Sequence, residues 1–147
     1  MQARSKTWKR KQERMLFKAD LITYQGIYKT IETEKLNVPT SEGRRTILSN
    51  HAPIMLELEI GVMETLKDGK LSHYAINGGV LYFRNNKADL VLNNVIDIEE
   101  INVEHAKEER EKALKQLKKA TNEAEEARAN FKLEVAENWL KAVEKYL

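Results

Sequence analysis

The chain of 147 residues has no cysteine. That excludes a disulfide framework, a thiolate metal site and a cysteine nucleophile, and it is compatible with a reducing compartment. Histidine is scarce: His51, His73 and His105 are scattered, none with a carboxylate at a metal-ligand spacing such as His-Glu-x-x-His. There is no Walker-type phosphate loop, Gly78-Gly79 is too short to cradle a phosphate, and Ser41, Ser49 and Ser72 lack the Gly-x-Ser-x-Gly elbow. Long apolar runs are also missing. The stretch Leu71 to Phe83 falls short of the roughly 18 residues a membrane-spanning helix needs. A secretory signal is not expected either, because the basic start meets Met15-Leu16-Phe17 and then Lys18 without an apolar stretch. These absences predict a soluble protein that is not an enzyme on its own, binds no cofactor or metal, and reaches a membrane only through a partner.

What is present is divided. All six glycines and both prolines precede residue 80. Hydrophobic residues make up 41% of the chain and both charge signs are abundant, as in a folded globular protein. The formal charge of +2 hides a basic tip. Residues 1–14 carry Arg4, Lys6, Lys9, Arg10, Lys11 and Arg14 against Glu13, so the remainder is net acidic. A basic tip suggests contact with phospholipid or nucleic acid, and its plainer readings are an arm or an upstream start codon. Without it the charge argument for nucleic acid disappears.

The first part is written in short strands and turns. Gly61 to Lys67 and Lys70 to Ile76 flank Asp68-Gly69, a pair suited to a type I′ hairpin. Val80 to Arg84 and Lys87 to Leu92 flank Asn85-Asn86, and Ala88, Leu90 and Leu92 alternate with Asp89, Val91 and Asn93, the period of a half-buried strand. Leu16 to Thr23 and Ile27 to Val38 read as strands around Gln25-Gly26, and a bend or bulge is expected at Gly78-Gly79. Many strands without intervening helices imply a sandwich or flattened barrel. From about Glu99 the texture changes to Glu, Lys, Ala and Leu, good helix formers. Val103, Ala106, Ala113, Leu117 and Ala120 mark one helix, Thr121-Asn122-Glu123 a break with an N-cap, and a second helix runs from about Ala124 to Tyr146. The short connection makes the two antiparallel neighbours. The second helix carries two apolar stripes, one through Phe131, Val135 and Trp139 and one through Leu133, Ala136 and Leu140. Two stripes imply two surfaces, both held within this chain or one of them exchangeable.

Thr46-Ile47-Leu48-Ser49-Asn50-His51-Ala52-Pro53-Ile54, with Gly61-Val62 eight residues after the proline and Asn77-Gly78-Gly79 beyond, resembles the epsilon subunit of bacterial F-type ATP synthases. The likeness covers about Met15 to Leu147, and it is the order and spacing of the motifs that make it specific. The family has a β-sandwich followed by a helical hairpin. It implies an α+β, mainly β chain: a basic extension at 1–14, a rotor-binding sandwich at 15–97 and a regulatory hairpin at 98–147. The resemblance also implies a non-catalytic rotor subunit on the cytoplasmic side of the bacterial membrane. Its partners would be the gamma subunit, the proton-translocating ring, and the alpha and beta subunits. The loop before His51 would meet gamma and ring, with Glu42, Arg44, Arg45 and His51 as contact candidates. This chain departs from the family there, with Thr40 and Thr46 in place of glycines and Arg44 where an acid is usual.

Relatives that bind ATP on the hairpin use Ile-Asp-x-x-Arg-Ala. Here the run is Ile101-Asn102-Val103-Glu104-His105-Ala106, and the helix-two arginines correspond to Val135 and Trp139. The charged fork for phosphate is gone, so tight ATP binding is not expected. Phe131, Trp139 and Leu140 are the expected contacts of the hairpin with whatever holds it. Two other readings stay open: a free-standing module binding membrane or nucleic acid through residues 1–14, and a small hydrolase centred on His51.

Overall fold

In the computed structural model, residues 15–147 are described; the basic extension lies outside them. Eight strands form one continuous sheet: β1 (Phe17–Thr23), β2 (Gly26–Thr33), β3 (Lys35–Thr40), β4 (Gly43–Leu48), β5 (Ile54–Lys67), β6 (Lys70–Arg84), β7 (Lys87–Leu92) and β8 (Val95–Asp97). Their order is β2-β1-β7-β6-β5-β3-β4, with β8 also pairing with β6. All the pairs of that path are antiparallel except β1 with β7.

The long strands β5 and β6 turn this path into a sandwich. Ile54 to Leu58 pair with Gly79 to Phe83 in the wing that holds β7, β1 and β2; Ile60 to Lys67 pair with Lys70 to Asn77 in the wing that holds β3 and β4. Gly78 and Gly79 (φ 91° and 148°) sit at the change of wing, so β6 runs through them instead of starting after them. A side chain at Gly79 would come 2.2 Å from the Val91 carbonyl oxygen, which explains the glycine by backbone approach. Gly61, of the Gly-Val motif, is explained likewise: a Cβ there would lie 2.9 Å from the Pro39 ring. The core draws on both wings, with Leu21, Leu81, Phe83 and Leu90 from one and Leu36, Val38, Met63 and Ile76 from the other.

The turns follow their sequences. Asp68-Gly69 and Asn85-Asn86 all have positive φ, as a two-residue I′ turn requires. The expected single strand from Ile27 to Val38 is instead two, broken at Glu34. There the Thr33 hydroxyl accepts from the Leu66 amide at 3.1 Å and the Glu34 amide donates to the Leu66 carbonyl at 2.7 Å, so the chain switches partner strand. Both open edges carry cations. Lys29 on β2 lies on the inward side and reaches the Tyr74 hydroxyl at 3.4 Å, and Arg44 and Arg45 lie on β4. Charges in these places discourage a foreign strand from adding to the edge.

Contacts divide the chain into a unit ending at Val95 and a unit spanning Ile96–Leu147. The second holds a short 3-10 turn (Ile98–Glu100), helix α1 (Val103–Lys119) and helix α2 (Glu123–Tyr146), packed together as a hairpin. Asn102 caps α1 through the His105 amide, and Asn122 caps α2 through the Glu125 amide at 2.9 Å. Glu125 in turn accepts from the Thr121 amide and hydroxyl, and this backbone contact first of all lowers its pKa from the usual carboxylate range. Acids start both helices and lysines end them, in accord with the helix dipole.

Candidate docking site

The motif loop around His51 is a built structure. Asn50 takes φ 65°, and its amide donates to the Asn86 side-chain oxygen at 2.6 Å, joined by the Ser49 hydroxyl at 3.3 Å. This clamps the β4–β5 connection onto the β6–β7 turn. His51 Nδ1 lies 2.7 Å from the Ala52 carbonyl oxygen, and its ring stands edge-on to Phe83 at 6.1 Å. One ring nitrogen is thus occupied by the histidine's own chain, an arrangement that fixes the bend before Pro53. The role of Asn86 is carried by a side chain distant in sequence, so no local pattern announces it.

The four expected gamma or ring contacts do not form one cluster. Gly43 pairs with Thr40 at one end of β4, and Leu48 pairs with Lys35 at the other. Glu42 therefore lies at the opposite end of β4 from His51, about 17 Å away for a six-residue strand. Arg44 is tied down: its guanidinium donates to the Asn37 side-chain oxygen and, at 2.6 Å, to the Val62 carbonyl. Asn37 also donates to the Thr46 hydroxyl at 2.7 Å, so the threonine in a glycine position is part of the same bracket. Arg45, half-buried and one residue on, shows no such tie among the described residues.

In the hairpin, the run that resembles a nucleotide motif has become structural. Asn102 is the cap, and Ala106 is fully buried. His105 stacks on Trp139 with ring centroids 6.4 Å apart and lies 4.0 Å from Glu109, while Ile101 is half-buried. Val135 is buried, leaving no cation at either expected arginine position. Of the three hairpin contact candidates, Phe131 is 47% exposed, whereas Trp139 and Leu140 are half-buried two turns further on. Among the described residues no group of His, Cys, Asp and Glu side chains could hold a metal ion, and no helix is long and apolar enough to cross a membrane.

A surface that the sequence reading passed over lies on the outer face of the β2-β1-β7-β6 wing. Val80 pairs with Val91, Val91 with Ile22, and, past a register shift in the β1–β2 pairing between Leu21 and Ile22, Ile22 with Ile27, making one apolar row across four strands. Their strand neighbours Leu81, Leu90 and Leu21 are the fully buried ones, so this row points away from the core. Ile27 is 62% exposed and Val91 48%. The next row begins with exposed Met55 and Tyr82, which pair with each other. Polar Asp89, Asp20 and Thr30 continue it, joined by the Thr30 to Asp20 hydrogen bond of 2.7 Å and the Lys87–Asp20 ion pair of 3.1 Å. In the apolar row itself Ile22 and Val80 are half-buried, so the row is apolar and partly open to solvent. Its sequence signal was Val91, an apolar residue in the outward register of β7.

The chain is thus a β-sandwich with an apolar outer row, followed by a capped helical hairpin. Comparison with known proteins makes the class specific. Residues 16–112 match the β-sandwich domain of the ATP synthase delta/epsilon chain, and residues 99–144 match its long α-helix domain. The chain is 34% identical over 116 residues to the chloroplastic ATP synthase epsilon chain of Cyanidioschyzon merolae, covering 78% of this chain and 88% of that one. It is 30% identical to the epsilon chain of Lactobacillus helveticus, covering 76% and 79%. A chain in the Euglena gracilis mitochondrial ATP synthase superposes with a TM-score of 0.74 at 22% identity, over 87% of this chain and 81% of that one. The chain belongs to the ATP synthase delta/epsilon family, as an epsilon-type chain, a non-catalytic subunit of that complex.

Proposed function

We propose that this subunit couples rotation of a proton-translocating ring to ATP synthesis by docking its sandwich on the gamma subunit. The observation that carries the reading is the row Val80–Val91–Ile22–Ile27 with Met55 and Tyr82 beside it, apolar and open on an otherwise polar sheet face. Covering a side chain that is about half exposed contributes roughly half of the 1.5–3 kcal/mol of full burial, and several such contacts together favour a seated partner. The similar Euglena chain belongs to an assembly that contains F1 and a c-ring, which agrees with this placement. The ring contact falls to Glu42 at the β3–β4 turn and to Arg45 on β4, because Arg44 is engaged with Asn37 and Val62. The complex works at the cytoplasmic face of the membrane, where the hairpin restrains ATP hydrolysis through the alpha and beta subunits. Its position is governed by those partners and not by nucleotide. Titration of the full chain with Mg-ATP is expected to show no micromolar binding.

The test of the docking face is rebinding to an ATP synthase stripped of this subunit. Val91→Asp and Ile27→Asp change only outward side chains, so the fold is expected to survive and rebinding to weaken at least about tenfold, the equivalent of losing one buried contact. Rebinding of both variants at wild-type affinity contradicts the reading.

A further inference from the structure

The tip of the β6–β7 hairpin sets two cations against each other. Arg84 and Lys87 pair directly across the strands, both exposed, on the same outer face as Tyr82 and Asp89. Like charges directly opposite on a sheet destabilise it. Lys87 is compensated, with its ammonium 3.1 Å from Asp20 and 3.5 Å from Asp89. The hydrogen bond to Asp20 above all raises its pKa, so the repulsion is not relieved by loss of a proton. Arg84 has no carboxylate within ion-pair distance among the described residues. Tyr82, Arg84, Asn85, Lys87 and Asp89 line an open recess of about 520 Å³ at this point. Asn85 and Asn86, both at positive φ, hold the tip in a tight turn. The recess adjoins the apolar row, because Tyr82 pairs with Met55 and lies two residues from Val80.

We propose that the recess receives a carboxylate side chain of the protein that covers the apolar row, with Arg84 as its fork. The inference rests on the docking reading above and adds the chemistry of the contact. A planar guanidinium without a partner matches a carboxylate in two-point geometry. Lys87 is already balanced by Asp20 and Asp89, so Arg84 is the one cation at the recess without a carboxylate, and its single charge is matched by a single carboxylate and exceeded by a dianionic phosphate. Continuity with a flat apolar sheet face favours a folded protein over a lipid headgroup. In the free subunit the opposed cations cost stability; in the complex the incoming acid cancels that cost, so the pair acts as a selector for an acidic partner.

Arg84→Glu tests this with two readouts of opposite sign. In the isolated full chain it replaces repulsion with attraction toward Lys87, so the melting temperature is expected to hold or rise. Rebinding to the stripped ATP synthase is expected to weaken about tenfold at low salt, with the gap narrowing as salt rises. Arg84→Lys, which keeps charge and loses the fork, is expected to fall between. If Arg84→Glu rebinds like wild type while Val91→Asp does not, the recess holds no carboxylate and the docking face stands. If neither variant matters, the docking face fails as well. A parallel fall in melting temperature and rebinding makes Arg84 structural and overturns the proposal. So does binding of the free chain to phosphatidylglycerol vesicles that Arg84→Glu abolishes, because the anion would then be a lipid headgroup.

Discussion

Inside the sandwich most of the fully buried side chains are large, Phe83, Leu21, Leu36, Ile47, Met63, Ile76, Leu81 and Leu90 among them, with Ala19, Ala75 and Ala88 as small ones. On the two helices the buried positions are Ala106, Ala113, Ala129, Ala136 and Ala142 with one larger residue, Val135. The difference is energetic. A buried Leu or Phe contributes about 1.5–3 kcal/mol, against about 0.8 kcal/mol for a methyl-sized side chain. The sandwich is also tied by registers that join distant parts of the sequence, such as Ala19 with Ala88 and Leu36 with Thr65. The hairpin relies on neighbours in sequence, two asparagine caps and a three-residue connection. The hairpin, held by smaller buried side chains and local contacts, is therefore expected to open at lower cost than the sandwich.

The largest expected effect lies in the sandwich. Phe83 touches Phe17 edge-on at 5.2 Å and supports the His51 ring. Phe83→Ala should destabilise the sandwich by about 3–5 kcal/mol in urea unfolding followed by tryptophan-independent circular dichroism at a strand wavelength. A loss below about 1 kcal/mol would break the contrast between the regions. Next comes the hairpin cap. Asn122→Ala removes the acceptor for the Glu125 amide and should cost about 1 kcal/mol, seen as lower helicity while sandwich signals stay unchanged. Spread of the effect into the sandwich would show that the two regions melt together.

The smallest effect is a pH dependence on the β3-β5-β6 wing. Glu64 receives His73 at 2.9 Å and Lys35 at 3.1 Å. Burial pushes its pKa up, but these two hydrogen bonds outweigh burial and hold it below the usual carboxylate range. A depressed carboxylate stabilises the fold fully above its unfolded pKa, near 4.3, and loses that contribution as pH falls through the folded value. Glu64→Gln should therefore cost about 1 kcal/mol or less at neutral pH, given its partial exposure, and the difference from wild type should shrink below about pH 4. Thermal melts at both pH values check this. Asp20, lowered by the Thr30 hydroxyl and then by Lys87, leaves a residual acid slope in the variant.

Much of the fold was legible because its signals are local. Asp68-Gly69 and Asn85-Asn86 announce positive φ by residue type, the alternation of Ala88, Leu90 and Leu92 gives the inward face of β7, and Asn122 marks a helix start. What escaped was set by distant partners. The strand break at Glu34 depends on Leu66, the His51 loop on Asn86, and the loss of Arg44 as a free contact on Asn37 and Val62. Asn102, which stands where ATP-binding relatives carry an acid, is a helix cap, the simpler use of that residue at a helix start. The docking row was half visible: Val91 breaks the polar register of its strand, but only the pairing with Ile22 and Val80 turns one exposed valine into a surface.

Amide hydrogen exchange of the full chain, read residue by residue under native conditions, tests the contrast between the two regions most directly. The core amides of β1, β6 and β7 are expected to exchange through global unfolding, and those of α1 and α2 through a separate opening of lower free energy that Asn122→Ala lowers further without touching the sandwich. Equal protection across both regions, shifting together in the variant, would contradict a hairpin that opens on its own.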